Sequence, residues 1–356
     1  MSARALQELW GIEHPVVLAP FGGVSSVGLT AAVTDLGGLG SYGLYGYGPD
    51  RIRDTVDALR AATSGPFALN LWLPTGDEVT PADVDLSCSS STTAVAPLFA
   101  ELGLDRPQPP ERFLPPFDDQ LDAVLEARPA ALSLVFGVPA PDVVERAHAR
   151  GIAVVGTATT VTEAVAIADG GVDVVVATGA DGAGHRVSFL RPAEDSLVGT
   201  FALVPQVVDA VDVPVVAAGG IADRRGVAAA FALGASGVQV GTAFLATRQS
   251  AATDAYRAAI RSAGADDTVL TRAMSGRLAR GLPNRAVRTV EAAGAIAPFP
   301  AQNWLTGQFR TEAGRQGIGD LQSLWMGQAA GLSHEDDAAA VFAELLAGVP
   351  GASGSV

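Results

Sequence analysis

The stretch TGADGAGHRVSF (178–189) follows a run of valines and carries His185, one of four histidines in 356 residues. A histidine in such a place can do chemistry, because its pKa lies near working pH. It can take an acidic carbon-bound proton or hydrogen-bond an anion. It can equally pin a glycine-rich turn through backbone hydrogen bonds. Two other stretches concentrate useful groups. AAGGIAD (217–223) and VQVGTAF (238–244) supply Gly219, Gly220, Gly241 and Thr242. Glycines let backbone approach a phosphate closely, and the threonine hydroxyl adds a donor. Read singly, each is also an ordinary tight turn between strand and helix. Asn70 interrupts the apolar run FALNLW (67–72), where a buried amide needs hydrogen-bond partners. SYGLYGYG (41–48) gathers Tyr42, Tyr45 and Tyr47, three of the chain's four tyrosines, which either line a substrate mouth or cover a rim.

What is missing narrows the chemistry further. All 23 basic residues are arginine, so Schiff-base mechanisms and the phosphate-reaching lysine of a P-loop are excluded. Carboxylates near the useful stretches are few, chiefly Asp181 and Asp223, and none is paired with histidine at metal-ligand spacing. Neither a metal centre nor a two-carboxylate glycosidase is expected. A formal net charge of −15 disfavours nucleic acid and anionic membranes as partners. The single Cys88, in a polar patch, excludes an intrachain disulfide, fits a reducing compartment and is not expected to be catalytic. The opening MSARALQELWGIEHP lacks an apolar signal core, and no apolar run approaches the roughly 20 residues that span a bilayer. The expectation is a cytoplasmic protein, monomeric or homodimeric.

Eight short apolar runs must position these residues: VVLAP (16–20), GGLGSYG (37–43), FALNLWL (67–73), ALSLVFG (131–137), AVVGTA (153–158), VDVVVATG (172–179), VPVVAAGG (213–220) and GVQVGTAFL (237–245). Continuous runs of this kind suit strands buried on both faces. Amphipathic, alanine-rich segments lie between most of them, several ending in a glycine C-cap. Strand then helix, eight times, predicts a (β/α)8 TIM barrel over 1–74 and 118–249, in preference to an open doubly wound sheet. Residues 75–117 read as an insertion after the third strand, a helical excursion with an irregular proline-rich return. Residues 250–350 read as mostly helical, and with the insertion they would form a smaller capping domain. The tail 351–356 is expected to be disordered.

In such a barrel the site lies at the strand C-termini, and a phosphate commonly sits after strands seven and eight, against a short helix N-terminus. The glycine pairs fall there, which implies a flavin mononucleotide or sugar phosphate. The set APFGGVSSVGLTAAVTDLGGLGSYG, FALNLW, GADGAGHR, VPVVAAGGIAD and ALGASGVQVGTAFL, with RLARGLPNR (277–285) and SLWMGQAAGL (323–332), resembles the nitronate monooxygenase family, also called 2-nitropropane dioxygenases.

The resemblance implies an FMN-binding flavoprotein that oxidises alkyl nitronates, or their parent nitroalkanes, with O2 to a carbonyl compound and nitrite. It implies that His185 corresponds to the family histidine, as base or anion-binding residue. It further implies that Ala19, Pro20, Phe21 and Gly22 back the flavin ring, and that Asn70 contacts its edge. Thr178, Ala183 and Gly184 fall on the family's cofactor loop. Gly219, Gly220, Gln239, Val240, Gly241 and Thr242 would hold the phosphate. The sequence departs from the pattern at Asp181, Ala183 and Val187, and has Phe21 where the family usually carries methionine. Two other readings stay open: an NAD(P)H-dependent flavin enoyl thioester reductase, and a non-catalytic barrel that binds a phosphorylated ligand or a partner.

Overall fold

The computed structural model describes residues 3–87 and 89–351. Cys88 and the tail 352–356 lie outside the described residues. The eight predicted runs form eight strands: Val16–Leu18, Gly40–Gly43, Phe67–Trp72, Ala131–Val135, Ala153–Ala158, Val174–Thr178, Val215–Ala218 and Gly237–Val240. Counted one to eight along the barrel, they pair in the order 1-8-7-6-5-4-3-2, every pair parallel. A parallel bridge between Val17 and Leu39 joins the first strand to the second, so the sheet closes into a (β/α)8 barrel.

Side chains alternate along each strand between the barrel interior and the surrounding helices. On the third strand Leu69 and Leu71 join the core under the helices, while Ala68 joins the interior. The sixth strand repeats this, Val175 and Ala177 outward and Val174 and Val176 inward. Both faces are therefore apolar, which is why the strands read as continuous runs. The helix Ala3–Trp10 closes the lower end, where Leu6 and Trp10 join the interior cluster. The same period of two puts the polar residues Asn70, Ser133, Thr157, Thr178 and Gln239 on the inward face. Polarity thus replaces bulk toward the mouth.

The insertion contains one helix, Ser90–Glu101, which packs in a separate apolar cluster with Arg285–Ala293 and Ala301–Arg315 through Phe99, Val290 and Phe309. Sequence reading places the helix Ala338–Leu346 with the cap. Its Val341, Phe342 and Leu345 instead belong to the barrel's own core cluster. There it touches the helices Val27–Asp35 and Arg224–Ala232 and completes the helical ring. Its apolar face matched the strand surface better than the cap because the ring lacked a member between the last strand and the first. A three-stranded antiparallel sheet, not foreseen, joins Val269–Thr271, Ala279–Gly281 and Gly184–His185. No helix among the described residues is long and apolar enough to cross a membrane. Phe342 is 2 % exposed; its replacement by alanine should cost about 3–5 kcal/mol, as a cavity in a well-packed core does, read as a lowered urea midpoint of the whole barrel.

Candidate active site

The mouth is shaped by arginines that hydrogen-bond loop carbonyls. Arg186, 3 % exposed, donates to Gly179 O at 2.6 Å and Thr178 O at 3.3 Å, folding the loop after the sixth strand back on itself. Burial pulls its pKa down to about 10. From the hairpin Arg280 donates to Ala180 O at 2.8 Å. Register pairs Arg280 with Gly184 and Ala279 with His185. The loop carrying His185 is therefore held from both sides.

His185 Nε2 lies 2.8 Å from Ser275 Oγ. The ring meets Trp72 edge-on at 5.0 Å between centroids and Trp325 at 5.8 Å. Burial, together with repulsion from the Arg277 and Arg310 guanidiniums, pushes its pKa down to about 3. It is neutral at pH 7. Arg277 is clamped between the Phe299 ring (3.9 Å) and the Phe136 ring (4.6 Å) and bonds Thr75, Asp77 and Glu78 of the insertion. Arg310 donates to Asn303 Oδ1 at 2.7 Å and Asn303 O at 2.9 Å, and its buried Nε has no protein partner. Its pKa is drawn down to about 10 by burial.

Against the start of the same loop lies a cradle of bare backbone, where an added side chain would be tightly crowded. Gly219 and Gly220 take φ of +93° and +69°. A Cβ on Gly219 would stand 3.0 Å from Thr200 Oγ1 and 3.1 Å from Gly182 N, and one on Gly220 3.3 Å from Asp181 Cβ. A Cβ on Gly241 would lie 3.3 Å from Ala19 Cβ and 3.4 Å from Phe21 Cε1. Thr242 Oγ1 accepts from Gly327 N at 3.1 Å, and Gln328 N donates to Asp181 O at 3.0 Å. The late segment around Gly327 thus lies across the same strand ends. Bare backbone at strands seven and eight, a small Ala19 and an aromatic Phe21 fit a phosphate with a flat ring attached, so the donor set suits FMN.

The other expected residues fall as follows. Ser25 Oγ takes Phe21 N and Gly43 N and donates to Phe21 O at 2.9 Å, fixing the Pro20–Gly22 loop beside the second strand. Asn70 sits beside Gly43 in register and spends its Nδ2 on Ser133 O and Ser133 Oγ, at 3.1 and 3.2 Å. Gln239 faces a small interior cavity of about 10 Å³ with Ser41 and Ser133, and the Val240 side chain packs under the helices. From these two, only backbone reaches the cradle. Of the three tyrosines, Tyr42 and Tyr47 are buried in the core behind the rim, their hydroxyls 3.3 Å apart. Tyr45 alone reaches the mouth, its ring tilted against Trp72 at 4.4 Å between centroids and its hydroxyl accepting from Asn303 Nδ2. Arg285 pairs with Glu101 at 2.6 Å within the cap.

A cavity of about 190 Å³ lies beside this wall, lined by Tyr45, Trp72, Leu114, Phe117, Arg277 and Phe299 among others. Neither His185 nor the glycines line it. Sequence reading missed Trp72, Ser275, Arg310 and Phe299, which carry no motif of their own. Trp72 lies inside the chosen run FALNLW and Ser275 beside RLARG, whereas Phe299 and Arg310 had no signal in the sequence.

A closed parallel barrel with a glycine cradle at its last two strands and a neutral histidine on the adjoining loop fits a barrel oxidoreductase. The chain belongs to the nitronate monooxygenase family, whose model matches residues 3–348. A probable nitronate monooxygenase of Staphylococcus aureus (strain Newman) is 35 % identical over 343 residues, 96 % of each chain. Among solved structures, a nitroalkane oxidase from Streptomyces ansochromogenes matches with a TM-score of 0.86 and 33 % identity over 98 % of both chains. FabK from Thermotoga maritima matches with a TM-score of 0.74 and 29 % identity, covering 96 % of this chain and 94 % of its own.

The depressed histidine has a consequence for stability. An unfolded histidine titrates near 6.5, so the unfolded chain binds the proton that folded His185 refuses. Stability linked to His185 is present above about pH 6.5 and is lost as pH falls toward 3. His185→Gln does not titrate and should lose up to a few kcal/mol less than the parent over that window. Urea midpoints of both proteins at pH 7 and pH 4.5 give the comparison.

Proposed function

We propose that the barrel mouth binds FMN and oxidises alkyl nitronates or their parent nitroalkanes with O2, yielding a carbonyl compound and nitrite. The glycine cradle at the seventh and eighth strands, which abuts the loop that carries His185, in a chain of this family, carries the reading. When bound, FMN supplies the redox chemistry. The chain supplies position, charge and exclusion of water. Backbone of Gly219, Gly220, Gly241 and Thr242 would hold the phosphate; Ala19 to Gly22 would back the ring, and Asn70, Thr178, Ala183 and Gly184 would edge it.

Arg310, which has no carboxylate partner among the described residues, puts a positive charge near His185, which favours a substrate that is, or becomes, an anion. Trp72, Phe136 and Phe299 keep that wall dry and strengthen the potential. The cavity next to them, lined mostly by apolar side chains, suits the alkyl part of the substrate. The segments 75–117 and 250–337 act as a cap whose charged contact with the mouth runs through Arg277.

The purified protein should be yellow, bleach anaerobically with ethylnitronate and release nitrite on re-aeration. Bleaching by NADH alone would favour the enoyl thioester reductase instead, and a protein that takes up no flavin would leave a binding barrel. Gly220→Val, which puts a branched side chain at a positive φ against Asp181, should weaken FMN retention at least tenfold while leaving far-UV circular dichroism unchanged. Equilibrium dialysis against FMN measures it.

A further inference from the structure

The cavity of about 190 Å³ lies where the barrel mouth meets the insertion. The barrel lends it Leu71 and Trp72 of the third strand, and Tyr45 from the loop after the second. The insertion's return lends Leu114 and Pro115, and the C-terminal segment lends Phe299. Three polar side chains also line it, and each is already engaged. Gln120 Nε2 donates to Tyr47 O at 2.8 Å. Glu78 accepts from Thr75 N at 3.0 Å and from Gly76 N at 2.9 Å. Arg277 donates to Asp77 at 2.7 Å and to Glu78 at 2.9 Å while lying over the Phe299 ring. One guanidinium thus faces two carboxylates, and the wall they form repels an anion. A charged group entering here would lose its water and gain no partner. The cavity suits an uncharged hydrocarbon group.

Its size sets how much. Sites that hold a whole drug-sized ligand start at roughly 300 Å³, so this one takes part of a molecule. An apolar cavity of about 150 Å³ is enough for benzene, which puts its capacity at roughly six to eight carbons. Trp72 belongs to two places: it lines the cavity, and its ring meets His185 edge-on at 5.0 Å between centroids. The cavity and the loop that carries His185 are therefore one indole apart. We propose that this cavity is a tail subsite, in which the substrate's alkyl chain passes Trp72 and ends against Leu114, so that chain length determines specificity. This deepens the proposed function and rests on it. The substrate class is a nitroalkane or nitronate with an uncharged alkyl tail of about six carbons, its nitro end kept out by Asp77 and Glu78. Leu114 is half-buried on an irregular segment and joins none of the apolar clusters among the described residues. Its replacement therefore alters the cavity before it alters the core.

The test has a kinetic and a spectroscopic arm, both on the flavin-loaded enzyme. In the first, kcat/KM is compared for ethylnitronate and 1-hexylnitronate. Burying each further methylene should raise it about threefold, so the parent should prefer the longer compound by roughly 80-fold. Leu114→Trp, which fills the space with an indole, should cut that preference at least tenfold. Because the ratio is taken within one protein, differences in flavin loading cancel. A parent that does not discriminate by length, or a preference unaltered by Leu114→Trp, overturns the proposal. In the second arm, ¹⁹F NMR of protein labelled with 5-fluorotryptophan follows a titration with 1-hexanol, which carries the chain without the nitro group. The Trp72 resonance, assigned with Trp72→Phe, should shift saturably, and that of Trp10 at the closed end of the barrel should stay. No saturable shift at Trp72 overturns the proposal. A shift without chain-length preference makes the cavity a site for a separate small apolar molecule and overturns the tail assignment. If the parent oxidises no nitronate of any length, the proposed function and the tail assignment fail together, while the second arm still decides whether the cavity takes a hydrocarbon chain.

Discussion

The mouth of this barrel depends on guanidinium groups that spend their hydrogen bonds on backbone carbonyls. Arg186 and Arg280 bind three successive carbonyls, of Thr178, Gly179 and Ala180, just where the sixth strand ends. A loop rich in glycine has high conformational entropy and would not by itself hold a ring nitrogen in place. Donors on a planar, permanently charged fork make the loop's backbone path the lowest in energy. His185, Asp181 and the Gly182–Gly184 turn inherit their positions from those bonds.

The same choice of residue sets the electrostatics. The chain as a whole is acidic, yet Arg186, Arg277, Arg280 and Arg310 all gather at one end of the barrel, and three of them are at most 9 % exposed. Guanidinium groups are costly to desolvate, and in this site burial lowers the pKa of Arg186, Arg280 and Arg310 rather than removing the charge. Burial first, and the Arg277 and Arg310 guanidiniums after it, keep the neighbouring imidazole neutral. A neutral ring beside guanidinium groups suits the cofactor and substrate proposed for this mouth.

The cap contributes chemistry as well as cover. The hairpin Val269–Thr271/Ala279–Gly281 adds His185 to its own sheet, and the turn between its strands delivers Ser275 to the histidine's far nitrogen. Arg277, two residues on, crosses to the insertion and stacks on Phe136 and Phe299. Barrel, insertion and C-terminal segment meet around one imidazole. The barrel provides the rigid ends of strands, and the cap supplies the hydroxyl that meets the ring.

The sequence by itself determined the barrel. Strands buried on both faces are apolar at most positions, so eight runs such as VVLAP and VDVVVATG are legible without their neighbours. Glycines that need positive φ or bare backbone mark the ends of the seventh and eighth strands for the same local reason. The placement of the last helix, Ala338–Leu346, was not legible, because an amphipathic face does not say which apolar surface it will cover. Nor was the division of the tyrosines, since Tyr45 points to the mouth and Tyr42 and Tyr47 to the core from one short loop. Least legible was the partner of His185, because Ser275 lies 90 residues away and belongs to no periodic pattern. Only the pairing of two distant backbone segments put that hydroxyl against the ring, and hydrogen bonds between remote residues leave no trace in local composition or spacing.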